Sequence, residues 1–467
     1  MITLFFDRED KVPMYEQLYN HIRSLIQNKI LNPNEKLPSK RKLSQHLKVS
    51  QITVETAYLQ LKAEGYIRSN EKIGYFVEPY TSLLVSDKSP VKTTKKSTRL
   101  VEYEYDLKTN VVDPIHFPYD AWAKLERDTF LDAKHSLLNS GDPEGLYELR
   151  VQISLYLYQF RGISTKPENI IIGAGSDFLL NLLTLLIGKD KCYALESPGY
   201  PKLKKLYDAY GVHTKYISLD ASGMSIESLN KEKADIVHVS PSHQYPSGIV
   251  MPISRRNQLL SWAYEKSERY IIEDDYDSEF RFSGNPIPAM QGMDSLGKVI
   301  YLNNFSKSMA PTFRVAFMVL PQSLLDIYYQ KYSFFSNTVP IFEQLVLSRF
   351  LESKAFEKHL NRMKLIYKSK KDHFTKLLKE SAFGNYIHFE GEEAGLHFLV
   401  LFDIIINEFL FIEKAKIEGV RVYGIQEFSP IKKEKASLVL GYGNYQLSDF
   451  KEIVLKLERA WKECHFI

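Results

Sequence analysis

Cysteine is scarce in this chain: two residues in 467, Cys192 and Cys464, far apart. That count and spacing give no disulfide framework and no zinc-binding pair, and they fit a reducing compartment, the cytoplasm. The N-terminus, Met1 to Asp10, lacks the basic-then-apolar pattern of a secretory signal. Long apolar runs are also missing. The longest, Phe178 to Ile187, is broken by Asn181 and Thr184, and is about half the length needed to span a bilayer. These absences speak against a secreted, disulfide-stapled or membrane-spanning chain.

What is present is the composition of an ordinary globular protein, 44% hydrophobic and 25% charged. The length suggests two or three domains. Net charge is only +4, but it is unevenly placed. Twelve Lys/Arg stand against nine Asp/Glu over Met1 to Pro79, and five against one over Tyr80 to Leu100, an excess of seven. The remainder carries a deficit of three. Basic charge is thus concentrated where a nucleic-acid contact would need it.

Residues Pro13 to Gly65 carry three helical patterns. Leu18, Ile22, Leu25 and Ile26 share one face. Ser39 can cap a short helix with Leu43 and Leu47 at i, i+4, and Ser50 can cap a third with Val54, Ala57, Tyr58 and Leu61 on one face. Gly65 is a natural stop. Two short helices joined by the turn Lys48 to Ser50 predict a helix-turn-helix. Two β-rich runs follow, Tyr66 to Ser69 and Gly74 to Val77, and predict a wing. Thr81 to Arg99, rich in Ser, Thr, Lys and Pro, reads as a flexible basic linker. The expected domains are 1–80, a linker over 81–105, and 106–467. In the last, short β-rich runs alternate with amphipathic stretches, which predicts an α/β lobe with a mainly parallel sheet. A smaller α+β lobe follows from about Pro340.

Lys307 lies in the loop Asn303 to Arg314, after one of those strands. A lysine becomes a carbonyl nucleophile when its surroundings favour the neutral amine. Pyridoxal phosphate (PLP) needs around it an acid for the ring nitrogen, donors for the phosphate, an aromatic face and a donor to the ring oxygen. Ile271 to Asp277 ends a strand in Glu273, Asp274, Asp275 and Asp277. Arg314 suits a phosphate, and Gly173 to Asp177 joins a strand to a helix N-terminus, a ready anion site. Tyr200, in Glu196 to Tyr200, can cover the ring. Taken singly each piece has another reading: a solvated lysine, a divalent-metal site for the acids, a plain turn. Together, at successive strand ends, they point to PLP.

Ser306 to Arg314, Pro241 to Gly248 and Ile271 to Phe280 resemble the aminotransferase-like domain of the MocR/GabR family of bacterial regulators. Pro38 to Ser44 and Val49 to Val54 are similar to the GntR-type winged helix that this family carries at its N-terminus. The resemblance covers nearly the whole chain. It implies an α/β fold: a winged helix-turn-helix joined to a fold-type I aminotransferase-like domain with a mainly parallel large lobe. It also implies a head-to-tail, domain-swapped homodimer on double-stranded operator DNA. Lys307 would then carry the Schiff base, Asp274 would face the ring nitrogen, Tyr276 the ring oxygen, and Tyr200 would stack. Arg314, Gly175, Ser176 and Asp177 would serve the phosphate, with His243 in the same site. Lys40, Arg41, Lys42, Ser50, Gln51, Thr53, Lys72 and Gly74 would face DNA.

The chain departs from the family pattern at Thr312, commonly Gly, and at Gln51, commonly Arg. Where GabR-like proteins hold an effector carboxylate with arginines, this chain has Lys202 and Glu427, with Arg421 as a reserve. A carboxylate effector is therefore not expected; PLP itself, as in the vitamin B6-sensing members, or an amine captured by it, fits better. The expectation is a PLP-dependent transcriptional regulator with no metal, controlling vitamin B6 or amino-acid genes. The alternative is a working aminotransferase tethered to DNA.

Overall fold

The computed structural model describes residues 2–7, 12–70, 73–79, 103–133, 137, 139–283, 287–430 and 435–465. It divides into two units, Met1–Leu100 and Val101–Ile467.

In the first unit, helices Met14–Gln27, Lys40–Leu47 and Gln51–Ala63 precede an antiparallel hairpin of Ile67–Asn70 and Gly74–Val77, with Ile67 opposite Val77. The core is Leu18, Ile22, Ile26, Leu43, Val54, Ala57, Tyr58 and Leu61, all buried. Leu25 is only half-buried and Tyr19 takes its place in the core. Ser39 Oγ accepts from Lys42 N and Ser50 Oγ from Thr53 N, so both helices start on a serine cap. Lys48 closes the second helix in the left-handed region at φ 54°, and Gly65 follows the third at φ 77°.

The second unit holds an eight-stranded sheet. Its order is Ile170–Ala174, Val315–Val319, Val299–Asn304, Tyr270–Asp274, Ile236–Val239, Cys192–Ser197, His213–Asp220 and Gly223–Met224. Val315–Val319 runs antiparallel to both neighbours, the last pair is antiparallel, and the other pairings are parallel. Val315–Val319 is buried throughout, as expected of a strand covered on both faces. The smaller lobe is an antiparallel sheet ordered Ile387–Glu390, His397–Phe402, Ser437–Gly441, Tyr423–Gly424. Helices Ala355–Glu380, Glu408–Ile417 and Leu447–His465 accompany it.

The expected linker, 81–105, lies outside the described residues except for 103–105, and there the expectation needs correcting. Tyr105–Asp106 is already a strand, paired in parallel with Val420–Arg421. Among the described residues no helix is long and apolar enough to cross a membrane.

Nearby, Lys370 Nζ meets Asp113 Oδ2 at 2.5 Å with side chains 3% and 0% exposed. Lys370→Met leaves Asp113 Oδ2 without its cation, although Oδ1 still accepts from the backbone of Ile115 and His116 at 2.8 Å each, and is expected to cost about 3–5 kcal/mol of stability, read by chemical denaturation. Adding Asp113→Asn should recover most of the loss.

Candidate functional site

The parallel strands end on one edge of the large sheet, and this edge explains the site. Ala174, Ser197, Val239, Asp274 and Asn304 are their last residues. Because Val315–Val319 runs the other way, its start, and Arg314 before it, falls on the same edge, with Val315 opposite Ala174 and Ala316 opposite Asn304. A cavity of about 610 Å³ opens there, lined by Gly175, Ser176, Asp177, Glu196, Tyr200, Asp274, Tyr276, Lys307 and Arg314, with Lys108, Thr109, Lys202, Tyr245 and Glu427.

Lys307 faces this cavity, and its ammonium donates to the Thr109 carbonyl. Removal from water pulls its amine down to about 8, against the opposing charge of Asp277.

The acidic strand end separates into four roles. Glu273 accepts from the backbone of Met290 and Gln291, both at 2.8 Å. Asp275 accepts from Arg161 Nε at 2.7 Å and the Tyr301 hydroxyl at 2.6 Å. Asp277 Oδ2 lies 2.9 Å from His243 Nδ1. Only Asp274 lines the cavity, and its Oδ1 is buried without a partner. Its Oδ2 lies 3.5 Å from His238 Nε2, and the Tyr207 hydroxyl lies 2.8 Å from His238 Nδ1. Glu196, close by, is held up at about 8 by burial, with the Asp274 charge adding to the rise. It is mostly protonated at neutral pH and brings little second charge.

At the other end of the cavity, Gly175 has φ 86° and a Cβ there would stand 2.5 Å from Arg314 Nη2. The missing side chain makes room for the guanidinium. Arg314 itself is in the left-handed region at φ 54°, a strained position for a non-glycine residue. Ser176 begins the helix Ser176–Ile187, and Asn304 Nδ2 reaches its Oγ at 3.5 Å. Asp177 does not offer a free side chain to this cradle: Lys202 Nζ binds its two oxygens at 2.8 and 2.6 Å. Arg421 is likewise engaged, donating to Glu427 Oε2 at 2.8 Å.

Tyr200 is exposed at the cavity, edge-on to Tyr245. Tyr276 lines the cavity and its hydroxyl lies 3.2 Å from His243 Nδ1. His243 is buried behind it, beside His397, and is not among the lining residues. His243, Asp277 and His397 form a compact buried group. A Cβ on Gly395 would sit 2.1 Å from His243 Cε1, so this group is tightly packed. Sequence reasoning missed His238, Glu196, Tyr245 and Thr109. A histidine in an apolar strand and a glutamate before a turn were visible signals; Thr109 had none.

In the first unit, Arg41, Lys42, Ser50 and Gln51 are exposed and Thr53 and Gly74 are half-buried. Lys72 lies outside the described residues. Lys40 is paired with Glu55 at 2.5 Å, a competitor within the chain for the phosphate role expected of it. Ser50 Oγ lies 2.8 Å from Thr53 Oγ1, so these two hydroxyls are partly spent on the helix start.

Fold and site together define a winged-helix DNA-binding unit joined to an aminotransferase fold. Residues 14–77 match the family of bacterial regulatory proteins, gntR family, and residues 102–412 match aminotransferase class I and II, whose members depend on PLP. The chain is 36% identical over 470 residues to the uncharacterized HTH-type transcriptional regulator YdeL of Bacillus subtilis, covering 99% of each. It is 29% identical to the HTH-type pyridoxine biosynthesis transcriptional regulator PdxR of Corynebacterium glutamicum, covering 95% of each. A Pyrococcus horikoshii kynurenine aminotransferase, solved in complex with PMP, is similar with TM-score 0.67 and 25% identity, over 77% of this chain and 90% of that one. The chain belongs to the MocR/GabR-type family of HTH transcriptional regulators.

Proposed function

We propose that this regulator holds PLP at Lys307 and that occupancy of that site sets its affinity for operator DNA. The observation that carries the reading is Asp274 Oδ1, a buried acceptor with no partner at the floor of a cavity that also holds Lys307 and Arg314. A buried carboxylate oxygen left unpaired is costly, and a pyridinium N–H would satisfy it. The Gly175–Arg314 cradle, open only because position 175 lacks a Cβ, fits a phosphate. When bound, the cofactor supplies an aldehyde and an electron-poor ring. The chain's residues do the rest. His238, whose Nδ1 is held by the Tyr207 hydroxyl, stands behind Asp274 with Nε2 3.5 Å from Oδ2. Tyr276 and Tyr200 bound the ring space, and Lys307 presents an amine that burial keeps reactive. Its reaction rate with PLP is expected to rise with pH up to about 8 and then level off, because above that value the amine is already neutral; stopped-flow absorbance reads it.

The small molecule that works through this site is either PLP itself or an amine without a carboxylate. The cations that could clamp a carboxylate are already paired: Lys202 with Asp177, Lys108 with Asp106 at 3.0 Å, and Arg421 with Glu427. The same pairing favours a sensor over a catalyst that turns over amino acids. The relative PdxR of Corynebacterium glutamicum is a pyridoxine biosynthesis transcriptional regulator, which supports vitamin B6 genes as the target, and a homodimer reading two half-sites in the cytoplasm fits the family. A hundredfold preference of the ligand for one state would supply about 2.7 kcal/mol to the switch. The test is operator affinity with and without PLP, then with amino acids and with simple amines. A shift on PLP alone is expected. If only an amino acid shifts the PLP-loaded protein, the effector reading is wrong.

A further inference from the structure

Thr109 belongs to no motif, yet its main-chain carbonyl accepts the hydrogen bond of the Lys307 ammonium, and its hydroxyl lies 2.8 Å from the Tyr245 hydroxyl. It is buried, and with Lys108 and Asn110 it lines the cavity. The segment 103–110 that contains these residues follows directly on 80–102, the stretch between the two units' described parts.

The segment is laced into the small lobe. Tyr105 N donates to Gly419 O at 3.1 Å, Leu107 N to Arg421 O at 2.9 Å, and Gly441 N to Leu107 O at 2.9 Å. The Tyr445 hydroxyl accepts from Asp106 N at 2.6 Å and donates to Asp106 O at 2.9 Å. A Cβ on Gly441 would stand 2.1 Å from the Lys108 carbonyl, so the backbone of the segment lies directly on that sheet. Among the described residues, Lys307 and Tyr245 supply the only hydrogen bonds that tie 103–110 to the large lobe.

We infer that the Thr109 carbonyl reads the chemical state of Lys307 and passes it to the segment that leads to the DNA-binding unit. This rests on the reading that Lys307 takes the cofactor's aldehyde. In that reaction the ammonium and the aldehyde give a protonated C=N bond and one water. The C=O bond breaks, the C–N double bond forms, and no electrons are gained or lost. The nitrogen begins with three N–H bonds and ends with one, held in the plane of the new double bond. Thr109 thereby loses its charged donor. A buried carbonyl without a donor is unfavourable, so the segment shifts to satisfy it elsewhere, and only the Tyr245 tether remains.

The consequence is that removing the ammonium should imitate the loaded state. Full-length wild type, Lys307→Ala and Lys307→Arg are compared without cofactor, and wild type again at saturating PLP, with absorbance showing that Lys307 has reacted. Hydrogen exchange is followed over 103–112. Affinity is measured for a duplex that the protein itself selects from a random pool. Lys307→Ala is expected to show the exchange and the DNA affinity of PLP-saturated wild type. Lys307→Arg, which keeps a cationic donor, should stay near cofactor-free wild type. The gap in exchange should be about ten- to a hundredfold, the worth of one hydrogen bond from a charged donor. If PLP shifts wild-type DNA affinity but the two variants are alike, the inference fails and the functional reading stands. If PLP produces no absorbance change in wild type, both fail.

Discussion

Lys307→Ala is expected to abolish the absorbance change on adding PLP and to make operator affinity insensitive to it. The reason is the state of the amines in the cavity. Lys307 is drawn down to about 8, so roughly a tenth of it is neutral at pH 7. Lys108 and Lys202 are each held by a carboxylate, Asp106 and Asp177, so neither presents a free amine in place of Lys307. The fold should survive, since Lys307 contributes one hydrogen bond to it; an unchanged circular dichroism spectrum is the control. A variant that still reacts at the wild-type rate would move the reactive amine elsewhere and overturn the site.

Arg41→Ala is expected to carry the largest effect on DNA. Arg41 is exposed on the first turn of Lys40–Leu47, a helix whose start is fixed by the Ser39 cap. An arginine that reaches a base edge contributes about 1–3 kcal/mol per half-site, and a dimer would lose it twice, enough to remove specific binding in a gel-shift assay. The reaction with PLP should be untouched. Loss of both would signal misfolding, and loss of neither would remove Arg41 from the interface. Lys42→Ala, by contrast, should weaken all sequences alike and lower the salt dependence by about one ion per subunit, about two for a dimer. Ile52, 75% exposed next to Gln51 on the recognition helix, adds an apolar surface of the kind that meets a thymine methyl.

Much of the architecture was legible in the chain because its signals are local. Helices Lys40–Leu47 and Gln51–Ala63 announce themselves through a serine cap and a 3.6-residue period. The strands ending at Ala174, Asp274 and Asn304 do so through apolar runs that stop at polar residues. Lys307, Arg314 and Gly175 could be picked out for the same reason. Val315–Val319 and His213–Asp220 could not, since a short apolar run or a half-exposed strand near the sheet's edge has no distinctive period. The start of the second unit was also set too late, because a two-residue strand such as Tyr105–Asp106 exists only through its partner, Val420–Arg421.

By itself the sequence determined the two-unit plan, the family and the set of groups gathered at strand ends: an amine, an acid and a cation. Only the tertiary structure decided which residue does what. Glu273, Asp274, Asp275 and Asp277 are near-equivalent on paper; Arg161, the Met290 backbone and His243 claim three of them and leave Asp274 to the cavity. Arg421 stood as a carboxylate clamp until Glu427, six residues on, engaged it. Thr109 came to the lysine from 198 positions away. The physical reason is range. Caps, periods and turns act over a few residues, whereas these assignments depend on charges and hydrogen bonds between strands whose order in the sheet differs from their order in the chain.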